Sequence, residues 1–184
     1  MAATQSNMLP LGTKAPYFNL FNPASGAYMS LENLRGEKAT LIAFICNHCP
    51  YVIHIGNKFA EISDKYMNLG VSFIGINSND VIKYPEDSPE NMVLTANKFR
   101  FNFPYLFDDT QEIAKSYAAA CTPDLFLFDD KLELVYRGQF DNSRPKNGVP
   151  VTGEDLCNAI DSVLAGKPVT DKQIPSIGCN IKWK

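Results

Sequence analysis

The stretch "ATLIAFICNHCPYVIH", residues 39–54, joins a buried strand to a helix and places two cysteines at the junction. Residues 39–45 form a short apolar run that is typical of a strand buried on both faces. Beyond the cysteines, apolar residues recur at steps of three and four and predict the buried face of a helix: Val52, Ile55, Phe59, Ile62, Tyr66 and Leu69. Gly70 is a stop signal, and residues 71–77, "VSFIGIN", predict a second strand. The pattern therefore predicts a βαβ unit with Cys46 and Cys49 at the entrance to its helix.

The rest of the chain continues this alternation of helices and strands. Start and stop signals predict three more helices: Ser88 with Pro89, Asp109 with Glu112 and an end near Ala119, and Thr152 with Asp155 and an end at Gly166. The runs "DLFLF" and "LELVYRGQF", separated by a short polar turn, predict a hairpin. An N-terminal hairpin segment precedes all of these elements. The predicted fold class is α/β, with a mixed central β-sheet flanked by helices.

Composition and charge exclude several classes of protein. The chain has 184 residues, 45% of them hydrophobic and 20% charged, which is ordinary for one soluble globular domain. A net charge of −3 predicts no nucleic-acid partner and no anionic membrane partner. The first 16 residues lack the basic and apolar regions of a secretory signal, and no apolar run reaches 18 residues. With an odd number of cysteines, five, we expect a cytoplasmic protein rather than a secreted disulfide framework.

The spacing of Cys46 and Cys49 is suited to disulfide exchange. A cysteine at a helix N-terminus faces unpaired N–H groups that stabilise its thiolate, and a second cysteine one turn later can close a disulfide with it. We therefore expect Cys46 to be the nucleophile, with a pKa below its ordinary value, and Cys49 to be the resolving thiol. His48, between the two cysteines, is expected to tune the thiolate. His54 is assigned no role.

A zinc site and a chance spacing are the alternatives to a redox pair. A structural zinc ion needs four ligands, and the chain offers one CxxC motif, two histidines and three scattered cysteines. A CxxC motif at a strand–helix junction of a βαβ unit is more typical of redox chemistry. We accordingly predict no metal and no cofactor.

The CxxC motif, the βαβ unit and the later "CTPDLFLFD", residues 121–129, resemble the thioredoxin superfamily. Residues 12–37 and 103–145 are similar to its AhpC/TSA and TlpA-like branch, and "CNHC" resembles the centres of protein disulfide isomerase and DsbA. The resemblance implies one thioredoxin-like domain over residues 1–184. It divides into an N-terminal hairpin segment (1–37), a core (38–166) and a C-terminal tail (167–184).

The same resemblance implies that Thr122 and Pro123 form the cis-proline loop, which lies against the CxxC motif and binds an extended substrate through its backbone. The expected function is thiol–disulfide exchange in cell redox homeostasis, with protein or peptide disulfides as substrates and a dithiol as electron donor. Two alternatives stay open. One is a peroxiredoxin-like peroxidase with Cys46 as the peroxidatic cysteine, although the Pro and Thr/Ser pattern of peroxiredoxins is missing before Cys46. The other is a non-catalytic metal-binding or redox-sensing module.

The remaining cysteines have weaker signals. Cys121 precedes the Thr122-Pro123 loop and is either a further redox thiol or a small buried residue. Cys179 lies in the tail, where some peroxiredoxins carry a resolving cysteine, or it anchors the tail. Because a mobile tail gives a low effective concentration, we expect Cys179 to be dispensable for exchange at the CxxC motif. Cys157 has a helical, apolar setting and is expected in the core.

Overall fold

The computed structural model describes residues 3–184. Its strands are β1 (Ala3–Gln5), β2 (Asn19–Asn22), β3 (Ala27–Ser30), β4 (Ala39–Phe44), β5 (Val71–Asn77), β6 (Tyr105–Phe107), β7 (Cys121–Thr122), β8 (Asp124–Asp129), β9 (Leu134–Tyr136) and β10 (Ile177–Asn180). Its α-helices are α1 (Leu31–Leu34), α2 (Pro50–Met67), α3 (Pro89–Phe99), α4 (Glu112–Ser116) and α5 (Glu154–Leu164), and a 3-10 turn spans Pro85–Asp87.

The central sheet has seven strands in the order β3-β2-β6-β5-β4-β8-β9. Strands β4, β5 and β6 are parallel, and the remaining neighbours are antiparallel. The sheet is therefore mixed, as predicted. The βαβ unit β4-α2-β5, the hairpin β8-β9 and the N-terminal hairpin β2-β3 are all confirmed.

The apolar residues of the central strands alternate between two layers of core. Leu41 and Ala43 of β4 pack on the face that carries Phe59 and Ile160 of the long helices α2 and α5. Ile42 and Phe44 point to the opposite face, where Tyr117 covers them. Because β4 is buried on both faces, its sequence is apolar at every position except Thr40 rather than alternating.

Both predicted ends of helix α2 are wrong. Helix α2 begins at Pro50 with Cys49 as its N-cap, so Cys46 lies one turn before the helix and not at its N-terminus. The proline causes this boundary: its ring fixes φ at a helical value without needing an N–H partner, whereas the preceding residue is pushed out of the helical region. At the other end, Leu69 lies beyond the helix and is exposed.

Helix α4 spans only Glu112–Ser116, and Asp109 does not cap it. Asp109 instead forms an ion pair with Lys184 near the C-terminus. The buried carboxylate of Asp108 takes the capping role from one residue earlier and accepts a hydrogen bond from the backbone N–H of Ala114. By contrast, the predicted cap of α3 is confirmed: Ser88 accepts from the N–H of Asn91.

A second, three-stranded sheet was not predicted from the sequence. It has the order β1-β10-β7 and joins the first described residues, the tail and the segment before Pro123. Three short strands with no clear period give no signal individually, because their pairing partners are far apart in the chain. No helix formed by residues 3–184 has the length and apolar character needed to cross a membrane.

Candidate functional site

The candidate site lies at the edge of the central sheet where the parallel strands β4 and β5 end. Cys46 follows β4, and a polar loop that begins at Ser78 follows β5. Parallel strands place their carboxyl ends at the same edge, where ligands of α/β proteins commonly bind. From the neighbouring antiparallel strand, the Thr122-Pro123 peptide bond, which is cis as the resemblance implied, reaches the same place.

Thr122 contacts both sulfurs of the CxxC motif. The Cys46 Sγ atom lies 3.3 Å from the Thr122 hydroxyl oxygen. In the dithiol form, the Cys49 thiol donates to the Thr122 carbonyl oxygen over 3.1 Å. Cys46 and Cys49 are 1% and 0% exposed, so both sulfurs are enclosed beside this threonine. The structure thus brings together three of the residues that the sequence singled out for the site.

The two cysteines share one ionisation, and the charge is favoured on Cys49. The hydrogen bond from Cys46, followed by contacts with Thr122, Cys179 and the Val52 N–H, lowers the pKa of Cys49 to about 5 against the opposing effect of burial. The hydrogen bond to Cys49, burial and the nearby Asp87 carboxylate raise the pKa of Cys46. This order is the reverse of the predicted one, because Cys49 contacts Cys46 and Thr122 and is the N-cap of α2, whereas Cys46 lies before the helix and near Asp87.

His48 is held by an ion pair and a ring contact. Its Nδ1 atom lies 2.8 Å from Asp87 Oδ2, close enough for an ion pair, although the N–H does not align as in a good hydrogen bond. The imidazole stacks parallel to Tyr84, with ring centroids 5.9 Å apart. The Asp87 carboxylate raises the pKa of His48, which burial alone would lower. His48 is therefore positioned to carry a positive charge beside the cysteine pair.

Asp87 is a site residue that the sequence analysis missed. It is fully buried, and its carboxylate accepts hydrogen bonds from the Asn47 N–H at 2.8 Å and from the Asn79 amide at 2.7 Å. These bonds and the His48 contact lower its pKa against the effect of burial. A signal was present: the loop 78–87 directly follows β5, which is parallel to β4, so this loop begins at the CxxC edge.

Asp87 also brings a possible metal-binding set into the site. Cys46, His48 and Asp87 each have a ligand atom, and the three atoms lie within 4.8 Å of one another. Three donors are one fewer than a structural zinc site uses. The same three residues also form a thiol, an imidazole and a carboxylate that orients the imidazole. This arrangement is suited to proton transfer.

The three remaining cysteines lie at different distances from the redox pair. Cys179 of β10 contacts Cys49 and lies opposite Thr122. Cys121 is buried one residue earlier and donates to the Pro123 carbonyl over 3.5 Å. Burial raises the pKa of Cys121 far above its ordinary value. Cys157 is half-buried on α5, away from the CxxC motif.

The features expected of a peroxidase are only partly present. A hydroxyl group does lie beside Cys46, but Thr122 supplies it rather than a residue of the preceding strand. The Arg137 side chain is bound by the Leu9 carbonyl and by Gln173. Arg144 is bound by Gln139 and by the carbonyl groups of Asp141 and Ser143. Both guanidinium groups thus have partners, which lie in the N-terminal segment, in the loop after β9 and in the segment before β10.

Comparison with known proteins identifies the family of this chain. The model of the AhpC/TSA family matches residues 11–137. The chain belongs to the AhpC/TSA family. No curated protein matches it in sequence.

Several solved structures are similar to this member of the AhpC/TSA family. An uncharacterized conserved protein from Geobacillus kaustophilus has a TM-score of 0.98 and 55% identity over 100% of this chain and 97% of its own. A hypothetical protein from Sinorhizobium meliloti has a TM-score of 0.96 and 46% identity, over 98% of each chain. A secreted Mycobacterium tuberculosis disulfide oxidoreductase homologous to DsbE has a TM-score of 0.60 and 16% identity, over 79% of this chain and 95% of its own. The thioredoxin-like fold is thus confirmed.

Proposed function

We propose that the protein is a thiol–disulfide oxidoreductase whose redox pair is Cys46 and Cys49. The observation that carries the proposal is the placement of both sulfurs against Thr122, at 3.3 Å and 3.1 Å, in a buried site where the pKa of Cys49 is lowered to about 5. At neutral pH the pair then holds one proton and one negative charge. Thiolates, not thiols, attack disulfides, so the pair is active without an external base.

Cys46 is the sulfur that attacks the substrate in this proposal. It belongs to the side of the site that carries His48, where an open cavity of about 280 Å³ extends along α3 past Asn91 and Leu94. When a disulfide arrives there, the Cys46 proton moves along the hydrogen bond to Cys49, and the Cys46 thiolate forms a mixed disulfide. Cys49, next to it, then attacks the Cys46 sulfur and releases the reduced substrate.

His48 and Asp87 assist this reaction. A thiolate leaving from the substrate disulfide needs a proton or a positive charge nearby, and the imidazolium of His48 supplies it. Asp87 fixes the ring and keeps it protonated to a higher pH. Protein or peptide disulfides are the proposed substrates, a dithiol is the proposed electron donor, and the proposed location is the cytoplasm.

Insulin reduction with dithiothreitol as the donor tests the proposal. The wild type should accelerate precipitation of the insulin B chain, Cys46→Ser should be inactive, and Cys49→Ser should accumulate mixed disulfides. Cys157→Ser removes a thiol distant from the pair and is the matched control, with wild-type activity expected. A wild type that is no faster than Cys46→Ser would refute the proposal.

The second candidate function is thiol peroxidase activity at Cys46. The Thr122 hydroxyl, 3.3 Å from its sulfur, is the observation that favours it, because a peroxide needs a hydrogen-bond donor beside the attacking thiolate. Hydrogen peroxide consumption by the same variants distinguishes the two functions. Consumption much faster than by a free thiol, without acceleration of insulin reduction, would replace the first proposal with the second.

A further inference from the structure

The C-terminal strand lies along the edge where the resemblance placed an extended substrate. Strand β10 pairs antiparallel with β7, with Cys179 opposite Thr122 and Asn180 opposite Cys121. On its other side β10 pairs with β1, so that Ala3 also lies opposite Cys179. The backbone edge beside the cis-proline loop is therefore occupied by the protein's own tail.

The register of this pairing directs Cys179 to the redox pair. Residues directly opposite in an antiparallel pair place their side chains on the same face of the sheet. The face in question is that of Thr122, whose hydroxyl contacts Cys46 and whose carbonyl oxygen contacts Cys49, so the Cys179 side chain lies beside the redox pair. Cys121 is offset by one residue and points to the other face. Of the two candidates from the sequence, the geometry selects Cys179.

The tail is fixed at this place by close packing and by hydrogen bonds. A Cβ atom at Gly178 would stand 1.9 Å from the Thr122 carbonyl oxygen, so β10 approaches the loop as only a glycine allows. The Lys182 N–H donates to the Asn79 side-chain oxygen over 2.8 Å, and the Asp80 N–H donates to the Lys182 carbonyl over 2.8 Å. The low effective concentration expected of a mobile tail therefore does not apply to Cys179.

We propose that Cys179 is a third redox residue of the site, which receives the disulfide from the Cys46–Cys49 pair through Cys49. This inference rests on the proposed function. The Cys179 thiol loses its proton to a water base, and its sulfur attacks Cys49. The Cys49–Cys179 bond forms while the Cys46–Cys49 bond breaks. The electron pair leaves on Cys46, which takes up a proton, so no electrons are gained or lost overall and no co-reactant is needed.

The transfer leaves Cys46 as a free thiol while the disulfide is held under β10 between Cys49 and Cys179. In the dithiol state, burial and the contact with Cys49 raise the pKa of Cys179 to about 12. Once Cys49 is part of a disulfide it carries no charge, and its contribution to this pKa is removed. The rate of transfer should still rise about tenfold per pH unit near neutrality, because it follows the thiolate fraction of Cys179.

Differential alkylation of the wild type tests the transfer. The protein is oxidised with one equivalent of diamide, freed from the reagent, and sampled over time with N-ethylmaleimide before reduction, a second isotopic label and peptide mapping. We expect the share of molecules with free Cys46 and a Cys49–Cys179 disulfide to grow with time. This share should be zero in Cys179→Ser, and Cys157, which stays free, is the internal standard.

The variant Cys46→Ser gives an independent measurement, because Cys49 can then no longer form a disulfide with residue 46. Diamide should produce an intramolecular Cys49–Cys179 disulfide in this variant. If neither protein forms that bond while the wild type forms Cys46–Cys49 and reduces insulin, the inference is wrong and the proposed function stands. If the wild type forms no disulfide at Cys49 and does not reduce insulin, both are wrong.

Discussion

At the scale of single residues, the chemistry of the site depends on which sulfur faces the helix and which faces the carboxylate. Cys49 is the N-cap of α2, whereas Cys46 lies near Asp87. The helix N-terminus stabilises negative charge on Cys49, and the Asp87 carboxylate opposes negative charge on Cys46. The sequence predicted a helix that begins three residues earlier. In that case the pKa of Cys46 would be the lower of the two.

The order of the two pKa values can be measured from the thiolate absorbance at 240 nm. The wild type should ionise one thiol near pH 5, and Cys49→Ser should lose that transition. Cys46→Ser should retain a transition, shifted upward, because the first cause of the low pKa of Cys49 is the hydrogen bond from Cys46. If a transition near pH 5 survives in Cys49→Ser, the low pKa belongs to Cys46 and the order stated above is wrong.

The His48–Asp87 ion pair predicts a pH window for stability. The raised pKa of His48 contributes stability that is full below about pH 6.5 and is lost as the pH rises through its folded value. The lowered pKa of Asp87 contributes stability that is full above about pH 4 and is lost as the pH falls through its folded value. The pair therefore stabilises the fold most between these limits.

Asp87→Asn should lower the free energy of unfolding by about 1–3 kcal/mol, the cost of a buried polar group that loses a partner. Urea denaturation from pH 4 to pH 9 should show the largest difference from wild type between about pH 4 and pH 6.5. Asp171→Asn changes an exposed carboxylate and is the control. An equal loss of stability at every pH would mean that shape alone, and not the ion pair, is responsible.

At the scale of elements, the sequence predicted what is local and repetitive. The strands β4 and β5 and the buried face of α2 were recognised because their apolar residues have a clear period over many positions. The sheet β1-β10-β7 and the turn that carries Asp87 were not recognised from the sequence. Their strands and turns are short, and their positions are determined by contacts between residues far apart in the chain, such as Lys182 with Asn79.

The fit of β10 against β7 predicts the effect of a single added methyl group. Gly178→Ala should lower stability by about 1–3 kcal/mol, because the Cβ atom meets the Thr122 backbone, which cannot rotate away as a side chain would. Displacement of β10 should also expose the buried sulfurs and speed alkylation of Cys46 and Cys49 by iodoacetamide. Ile177→Ala, in the same strand, adds no atom against Thr122 and should leave the alkylation rate near that of wild type. Unchanged alkylation in Gly178→Ala would show that β10 does not cover the pair.

At the scale of the whole molecule, one group within the central sheet opposes folding at neutral pH. Asp124, the first residue of β8, is 0% exposed and accepts a hydrogen bond from the Ala120 N–H over 3.0 Å. Burial raises its pKa to about 6. Since the unfolded value is about 3.9, the penalty is absent below pH 4, grows as the pH rises, and is complete above about pH 6. The fold tolerates this cost because the rest of the sheet is an apolar core with two covered faces.

Asp124→Asn removes this charge and keeps the size of the side chain, so it should stabilise the protein at pH 7. The rise of the Asp124 pKa from about 3.9 to about 6 sets an upper limit of about 3 kcal/mol for the gain in the free energy of unfolding. The gain should shrink steadily below pH 6 and disappear near pH 4, where Asp124 is protonated in both the folded and the unfolded state. Thermal unfolding followed by circular dichroism across this range measures it, with Asp171→Asn as the exposed control. A variant less stable than wild type at pH 7 would mean that the Asp124 carboxylate is needed in its charged form, and the role of burial in its pKa would have to be rejected.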